Sequence, residues 1–227
     1  MEYVDSPLVS LTTMFLIVMG GLGFPVWHDI YVTAKKGAGE KRARRRIFTR
    51  LSLQSKIVLS MTVFLILCGT AGYFLLEFNN PGTMGDLSVP DKLLASVFQS
   101  VTTRTAGFAS VSQAGLTESS RLLGCILMFI GGSPAGTAGG IKTTTAAMLF
   151  LTVLCVLKGQ KDTECFGRRV DMDTVRSGIT IALITFTCWL AAVAAMSVFD
   201  PQTEFLNLMY EASSAIGTVG LAADLTP

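Results

Sequence analysis

Two short stretches, Thr105-Ala106-Gly107-Phe108 and Thr218-Val219-Gly220-Leu221, share one pattern: threonine, a small or β-branched residue, glycine, then a large apolar residue. Neither contains an acid, a base or a nucleophile, so the chemistry open to them is that of backbone carbonyl oxygens. Glycine at the third position lets the backbone turn its carbonyls toward an axis without a Cβ clash. Rings of such oxygens can replace the hydration shell of a potassium ion. A single Thr-x-Gly occurs by chance in many chains; two at matched places in a membrane repeat are a far stronger signal.

Between them lies Gly131-Gly132-Ser133-Pro134-Ala135-Gly136-Thr137-Ala138-Gly139-Gly140, with five glycines and one proline in ten residues. It separates the apolar runs 122–130 and 141–157, which would otherwise make one long membrane helix. A helix through it would be penalised by about 1 kcal/mol per glycine and about 3 kcal/mol for proline. Irregular backbone at membrane depth is tolerated only when it is buried in protein or lines a water-filled path, so a broken helix here points to transport. The alternative is a flexible external loop between two short helices. The absence of any charge from residue 124 to 141 weighs against it.

The elements that must position these stretches are membrane helices. Half of the 227 residues are hydrophobic and only 15% are charged, with a mean hydropathy of +0.54, where soluble domains carry about 25% charged residues. The expected class is an all-α membrane protein. Residues 8–32 form a first span, long enough to cross the ~30 Å hydrocarbon core. The cluster Lys35, Lys36, Lys41, Arg42, Arg44, Arg45, Arg46 and Arg50 then marks the cytoplasmic side and places the N-terminus outside. Flanking spans explain this run better than nucleic-acid binding does. A second span, 57–78, travels outward to the turn Asn79-Asn80-Pro81-Gly82. The segment 91–103 is too short to cross and reads as a re-entrant or core helix. A third span crosses inward through the broken stretch to about residue 157. Asp171 precedes the fourth span, 178–199, and 204–215 is a second short amphipathic helix. Of 18 Lys and Arg, eight fall in 33–54 and five in 158–176, whereas the outer connections hold only Lys92 and Arg121. Cys68, Cys125, Cys155, Cys165 and Cys188 have neither metal-ligand nor redox-pair spacing and read as packing residues.

Residues 51–157 and 171–227 follow one plan: basic entry, outward helix, Pro-containing turn, short helix, small-residue loop. Three segments follow: 1–50, a closing inward helix with a basic loop; 51–157, a complete repeat; and 158–227, a cytoplasmic loop with an unfinished repeat. Nothing in the chain looks like a P-loop, a catalytic triad or a metal cluster, so no enzymatic activity is expected.

These residues resemble the Trk/Ktr/HKT superfamily of potassium transporters, and most closely its KtrB-type membrane subunits. The resemblance is carried by Val101-Thr102-Thr103-Arg104-Thr105-Ala106-Gly107-Phe108, by residues 128–142 ending in Gly139-Gly140-Ile141-Lys142, by residues 217–221, and by Gly20-Gly21-Leu22-Gly23-Phe24-Pro25. It implies four helix–pore-helix–filter–helix repeats around a pseudo-tetrameric pore, of which this chain supplies the last helix of the second, the whole third and most of the fourth. It further implies that Thr105, Ala106, Gly107, Phe108, Thr218, Val219, Gly220 and Leu221 bind potassium through filter carbonyls. Residues 131–140 and Lys142 would then form an intramembrane gate. The same resemblance implies potassium as the transported ion, passing either passively or with sodium as a coupling ion, together with a cytosolic nucleotide-binding regulatory ring, a homodimer, and the cytoplasmic (inner) membrane. Two filter strands are missing, so the chain reads as a fragment or truncated product, with pairing of two copies as the alternative.

Lys142 either touches the gate or snorkels to the inner interface. Arg104 and Glu211 lie in or beside the re-entrant segments, where ionisable groups face a cavity or pair with each other; they are expected to support the filter rather than contact the ion. His28 reads as an interfacial residue, and Gly20, Gly21 and Gly23 as sites of close helix packing. Two readings compete with potassium uptake: a secondary transporter binding an anionic solute at half-helix N-termini, and a non-transporting remnant.

Overall fold

The computed structural model describes residues 6–37, 47–136, 138–160 and 163–223. Nine helices are found among them: α1 (Pro7–Gly21), α2 (Phe24–Gly37), α3 (Ile47–Arg50), α4 (Leu53–Glu77), α5 (Val89–Thr102), α6 (Glu118–Phe129), α7 (Thr143–Leu157), α8 (Met172–Phe199) and α9 (Phe205–Gly217). One hairpin, β1 (Glu164–Cys165) with β2 (Arg168–Arg169), breaks the helical pattern.

Helices α4 and α8 have 25 and 28 residues, which at 1.5 Å per residue gives about 38 and 42 Å, enough to cross a bilayer. Ser52 caps α4 by accepting the Ser55 N–H at 3.2 Å. Asp171 stands at the N-cap position of α8, as expected, but its side chain makes no capping hydrogen bond. Apolar residues such as Ile181, Leu183, Ile184, Phe186 and Leu190 remain exposed along α8, the surface a helix presents to hydrocarbon.

The first span is not one helix. Helices α1 and α2 meet at a 91° bend. Gly23 lies at φ +78° and Pro25 opens α2, where its missing N–H costs nothing. The glycines do not act as expected either. A Cβ on Gly20 or Gly21 would meet nothing within 4 Å. The sequence Gly-Gly-Leu-Gly-Phe-Pro serves the bend rather than helix packing.

Helices α5 and α9 are too short to cross. Helix α5 buries Lys92, Ala95, Ser96 and every residue from Phe98 to Thr102, which a peptide surrounded by protein must do at membrane depth. It packs on α4 and α1, while α9 packs on α6 and α8. Their starts are tied from outside. Lys92 Nζ donates to the Phe78 carbonyl at 2.7 Å. Arg121 of α6 pairs with Glu204 at 3.2 Å and also donates to Asn207.

The hairpin in the second basic segment had no signal beyond Phe166-Gly167, where both residues take positive φ, 49° and 72°, the requirement of a tight two-residue turn. Cys165 of β1 is buried, and burial and the neighbouring Cys155 push its thiol up.

Candidate functional site

At the C-terminal ends of α5 and α9 the backbone leaves the helix in the same way. Thr105 has φ +67° and Gly107 +76°; Thr218 has φ +53° and Gly220 +89°. Positions one and three of each four-residue stretch are left-handed, and positions two and four are not. Left-handed backbone at a β-branched residue is uncommon and costs about 1–3 kcal/mol, yet it occurs here twice at matched threonines. The turns hold by their own bonds. Ala106 N–H reaches Thr102 O at 3.1 Å, and Thr102 Oγ1 donates to Phe108 O at 2.6 Å. In the second stretch, Val219 N–H reaches Ser214 O at 2.8 Å, and Gly220 N–H reaches Ser214 Oγ at 3.1 Å.

The two stretches meet at their third and second positions. A Cβ on Gly107 would sit 2.2 Å from the Val219 carbonyl oxygen, and one on Gly220 would sit 3.9 Å from Gly107 Cα. Only glycine permits the first approach.

The glycine-rich segment is an excursion within one crossing. Ile130 and Ile141 form a parallel bridge, and Ile141 N–H bonds Phe129 O at 3.0 Å. The chain therefore continues from α6 into α7 in the same direction, with residues 131–140 looped out between. The limbs touch at the neck, where a Cβ on Gly131 would lie 1.8 Å from Gly139 O. One limb rests on the α1–α2 bend: Ser133 N–H bonds Gly21 O at 3.2 Å, and Gly23 leaves only 2.7 Å between its absent Cβ and Pro134 O. The other limb rests on the end of α9, through Gly139 N–H to Thr218 Oγ1 at 2.8 Å and Gly140 N–H to Ile216 O at 3.2 Å. Lys142 turns its ammonium back onto Ala138 O, so it touches the loop. Ala135 and Gly136 lie toward its tip, and Thr137 lies outside the described residues.

Residues 1–223 match the family described as TrkH, cation transport protein. The chain belongs to the TrkH family of cation transport proteins. It is 36% identical over 227 residues to the "Ktr system potassium uptake protein B" of Bacillus subtilis, covering 100% of this chain and 48% of that protein. It is 37% identical over 226 residues to the protein of the same name from Vibrio alginolyticus, covering 100% and 47%. To the "Potassium/sodium uptake protein NtpJ" of Enterococcus hirae it is 34% identical over 235 residues, covering 98% and 49%. The chain thus spans about half the length of these relatives. Its fold is that of the potassium transporter TrkH from Vibrio parahaemolyticus, with a TM-score of 0.66 at 19% identity over 99% of this chain and 48% of that one. This is a helical membrane fold from a transporter family, not from a family of enzymes.

Behind the stretches, this TrkH-family chain holds a buried polar network that sequence reasoning missed. Gln99 Nε2 donates to Gln113 Oε1 at 2.7 Å, Tyr210 OH donates to the same oxygen at 2.8 Å, and Gln113 Nε2 donates to Val111 O at 2.9 Å. Gln113 therefore joins α5 to α9 across the return loop. The one available signal was Gln99, an amide amid the apolar positions of a short helix. Gln113→Leu strands the Tyr210 hydroxyl and the Gln99 amide, at a cost of about 1–3 kcal/mol for each buried group left unpaired. Thermal unfolding of the purified protein is expected to show a lower midpoint; an unchanged midpoint would refute the linking role.

Arg104 and Glu211 do not pair with each other. Glu211 accepts the Ala223 N–H at 2.8 Å, holding the chain beyond Leu221. Arg104 is buried, with Nη1 3.5 Å from Thr62 O and Nε without a partner among the described residues. It lines a small cavity together with Ile17, Val18 and Gly21 of α1. His28 is exposed; its neighbour Asp29 instead accepts the Ser52 N–H at 2.9 Å.

Proposed function

We propose that this chain is half of the pore of a potassium uptake protein in the cytoplasmic membrane, with Thr105-Ala106-Gly107-Phe108 and Thr218-Val219-Gly220-Leu221 as two of four filter strands. The observation that carries the reading is the matched alternation of left-handed and ordinary backbone at two threonines and two glycines. An alternation of handedness lets successive carbonyls face one side, the arrangement that replaces an ion's hydration shell. Strain of this kind concentrates at functional sites.

Residues 131–140 with Lys142 act as the gate, because they press against the base of the fourth strand from the broken third span. Residues 1–50, 51–157 and 158–227 are the end of one repeat, a whole repeat and part of another. The basic clusters put the N-terminus of this stretch outside. Potassium is the cargo; the relative named for potassium and sodium keeps sodium as a co-ion. The two remaining strands come from further chain of the same subunit or from a second copy, in a homodimer controlled by a cytosolic nucleotide-binding ring. An anion site at the broken helix has less support, because the Thr143 N–H at the start of α7 is already taken by Gly132 O at 3.1 Å.

The test is complementation of bacterial cells that lack potassium uptake, read by growth at low potassium and by rubidium tracer entry. Saturable uptake that potassium competes for is expected, and no cation uptake in any assembly containing this chain would refute the proposal. The intact mass of the polypeptide isolated from its membrane, near 24.2 kDa or near twice that, decides between two paired halves and one longer subunit.

A further inference from the structure

We infer that the Thr218 hydroxyl is a latch, holding the glycine-rich loop against the fourth strand and coupling the position of one to the conformation of the other. The meaning of the latch rests on the proposed function; its existence rests on geometry. The hydroxyl accepts the Gly139 N–H at 2.8 Å, and the next amide, Gly140, bonds Ile216 O at 3.2 Å. The fit leaves no spare room: a Cβ on Gly139 would come within 2.7 Å of Thr218 Oγ1, 2.8 Å of its Cγ2 and 2.9 Å of Gly217 O.

Thr218 is thus two things at once. Its backbone, at φ +53°, begins the strand, and its side chain holds the loop. Moving this limb of the loop away breaks both bonds and removes the contact packed against a strained residue, so the strand is freed to relax when the loop opens. The matched residue in the other stretch supplies the contrast. Thr105 has the same left-handed backbone, φ +67°, but no hydrogen bond joins it to the described residues of the loop. Among the described residues, the coupling runs through the strand of Thr218 and not through that of Thr105. The opposite limb is bonded instead at the Gly21 carbonyl of the bend, through Ser133 N–H at 3.2 Å.

Hydrogen–deuterium exchange of the loop amides, in protein isolated from its membrane, tests this. Thr218→Val keeps the shape and the β-branch, hence the backbone preference, and removes only the acceptor. Exchange at Gly139 is expected to rise about three- to tenfold, the range set by loss of one ordinary hydrogen bond. Thr218→Ser, which keeps a hydroxyl, is expected to restore wild-type exchange, and Thr105→Val to leave the loop amides as they are. Unchanged exchange in Thr218→Val overturns the latch, as does equal acceleration by Thr105→Val. Selective acceleration in a protein that carries no cation would uphold the latch and overturn the proposed function instead.

Discussion

Replacing Gly107 by alanine is expected to abolish selective potassium uptake. The new Cβ would stand 2.2 Å from the Val219 carbonyl oxygen, well inside any real contact. That oxygen belongs to the backbone of the neighbouring strand and cannot swing away like the end of a flexible side chain. Alanine would also have to hold φ +76°, in a region where a Cβ costs roughly 1–2 kcal/mol. Separation of the two strands relieves both strains, and carbonyls separated by even part of an ångström no longer match a dehydrated ion. Rubidium entry is expected to fall at least about tenfold, the equivalent of 1.4 kcal/mol in the barrier, and the residual flux to lose its preference for potassium over sodium. Gly20→Ala is the control, since its Cβ would meet nothing within 4 Å and alanine favours helix. Normal, potassium-selective uptake by Gly107→Ala would refute the filter assignment.

The second large effect is on stability. Glu77, at the end of α4, is fully buried. Its Oε1 accepts from Thr117 N–H at 3.0 Å and Thr117 Oγ1 at 2.7 Å, and its Oε2 accepts from Asn80 Nδ2 at 2.6 Å and Thr83 Oγ1 at 2.5 Å. Asn80 in turn donates to Gly115 O at 2.7 Å. One carboxylate therefore gathers the end of α4, the turn after it and the start of α6, so that both short connections around α5 are tied to one point. Glu77→Ala removes the acceptor of four donors and leaves them buried. Each of these neutral donors that stays buried and unpaired costs about 1–3 kcal/mol. A clear fall in the thermal midpoint of the purified protein is expected. Glu77→Gln, which keeps one oxygen but presents an N–H₂ where an acceptor is needed, is expected to fall in between. A midpoint for Glu77→Ala equal to that of the unaltered protein would remove Glu77 from this role.

Much of the fold was legible along the chain because hydropathy and helix-start chemistry are local. The apolar runs of α4 and α8, the short helices α5 and α9, the N-cap at Asp171 and the break at residues 131–140 each depend on neighbours within a few turns. The two Thr-x-Gly stretches were legible for the same reason, since glycine marks places where backbone must take positive φ. The 91° bend between α1 and α2 was not. A hydropathy run reports how apolar a segment is but not its direction, and glycine is compatible with a straight membrane helix as well as a bent one. The hairpin at Phe166-Gly167 was missed because two-residue strands carry no periodicity.

Tertiary structure alone decided the pairings: Gln113 with Tyr210, Gly107 with Val219, and Gly139 with Thr218, which lie 79 residues apart. Such contacts depend on two residues at once, whereas composition and spacing describe each segment by itself. Sequence determined which backbone could bend and which helices could cross a membrane. The packed structure determined what each bend rests against, and so why Gly107 must be glycine and why Thr218 differs from Thr105.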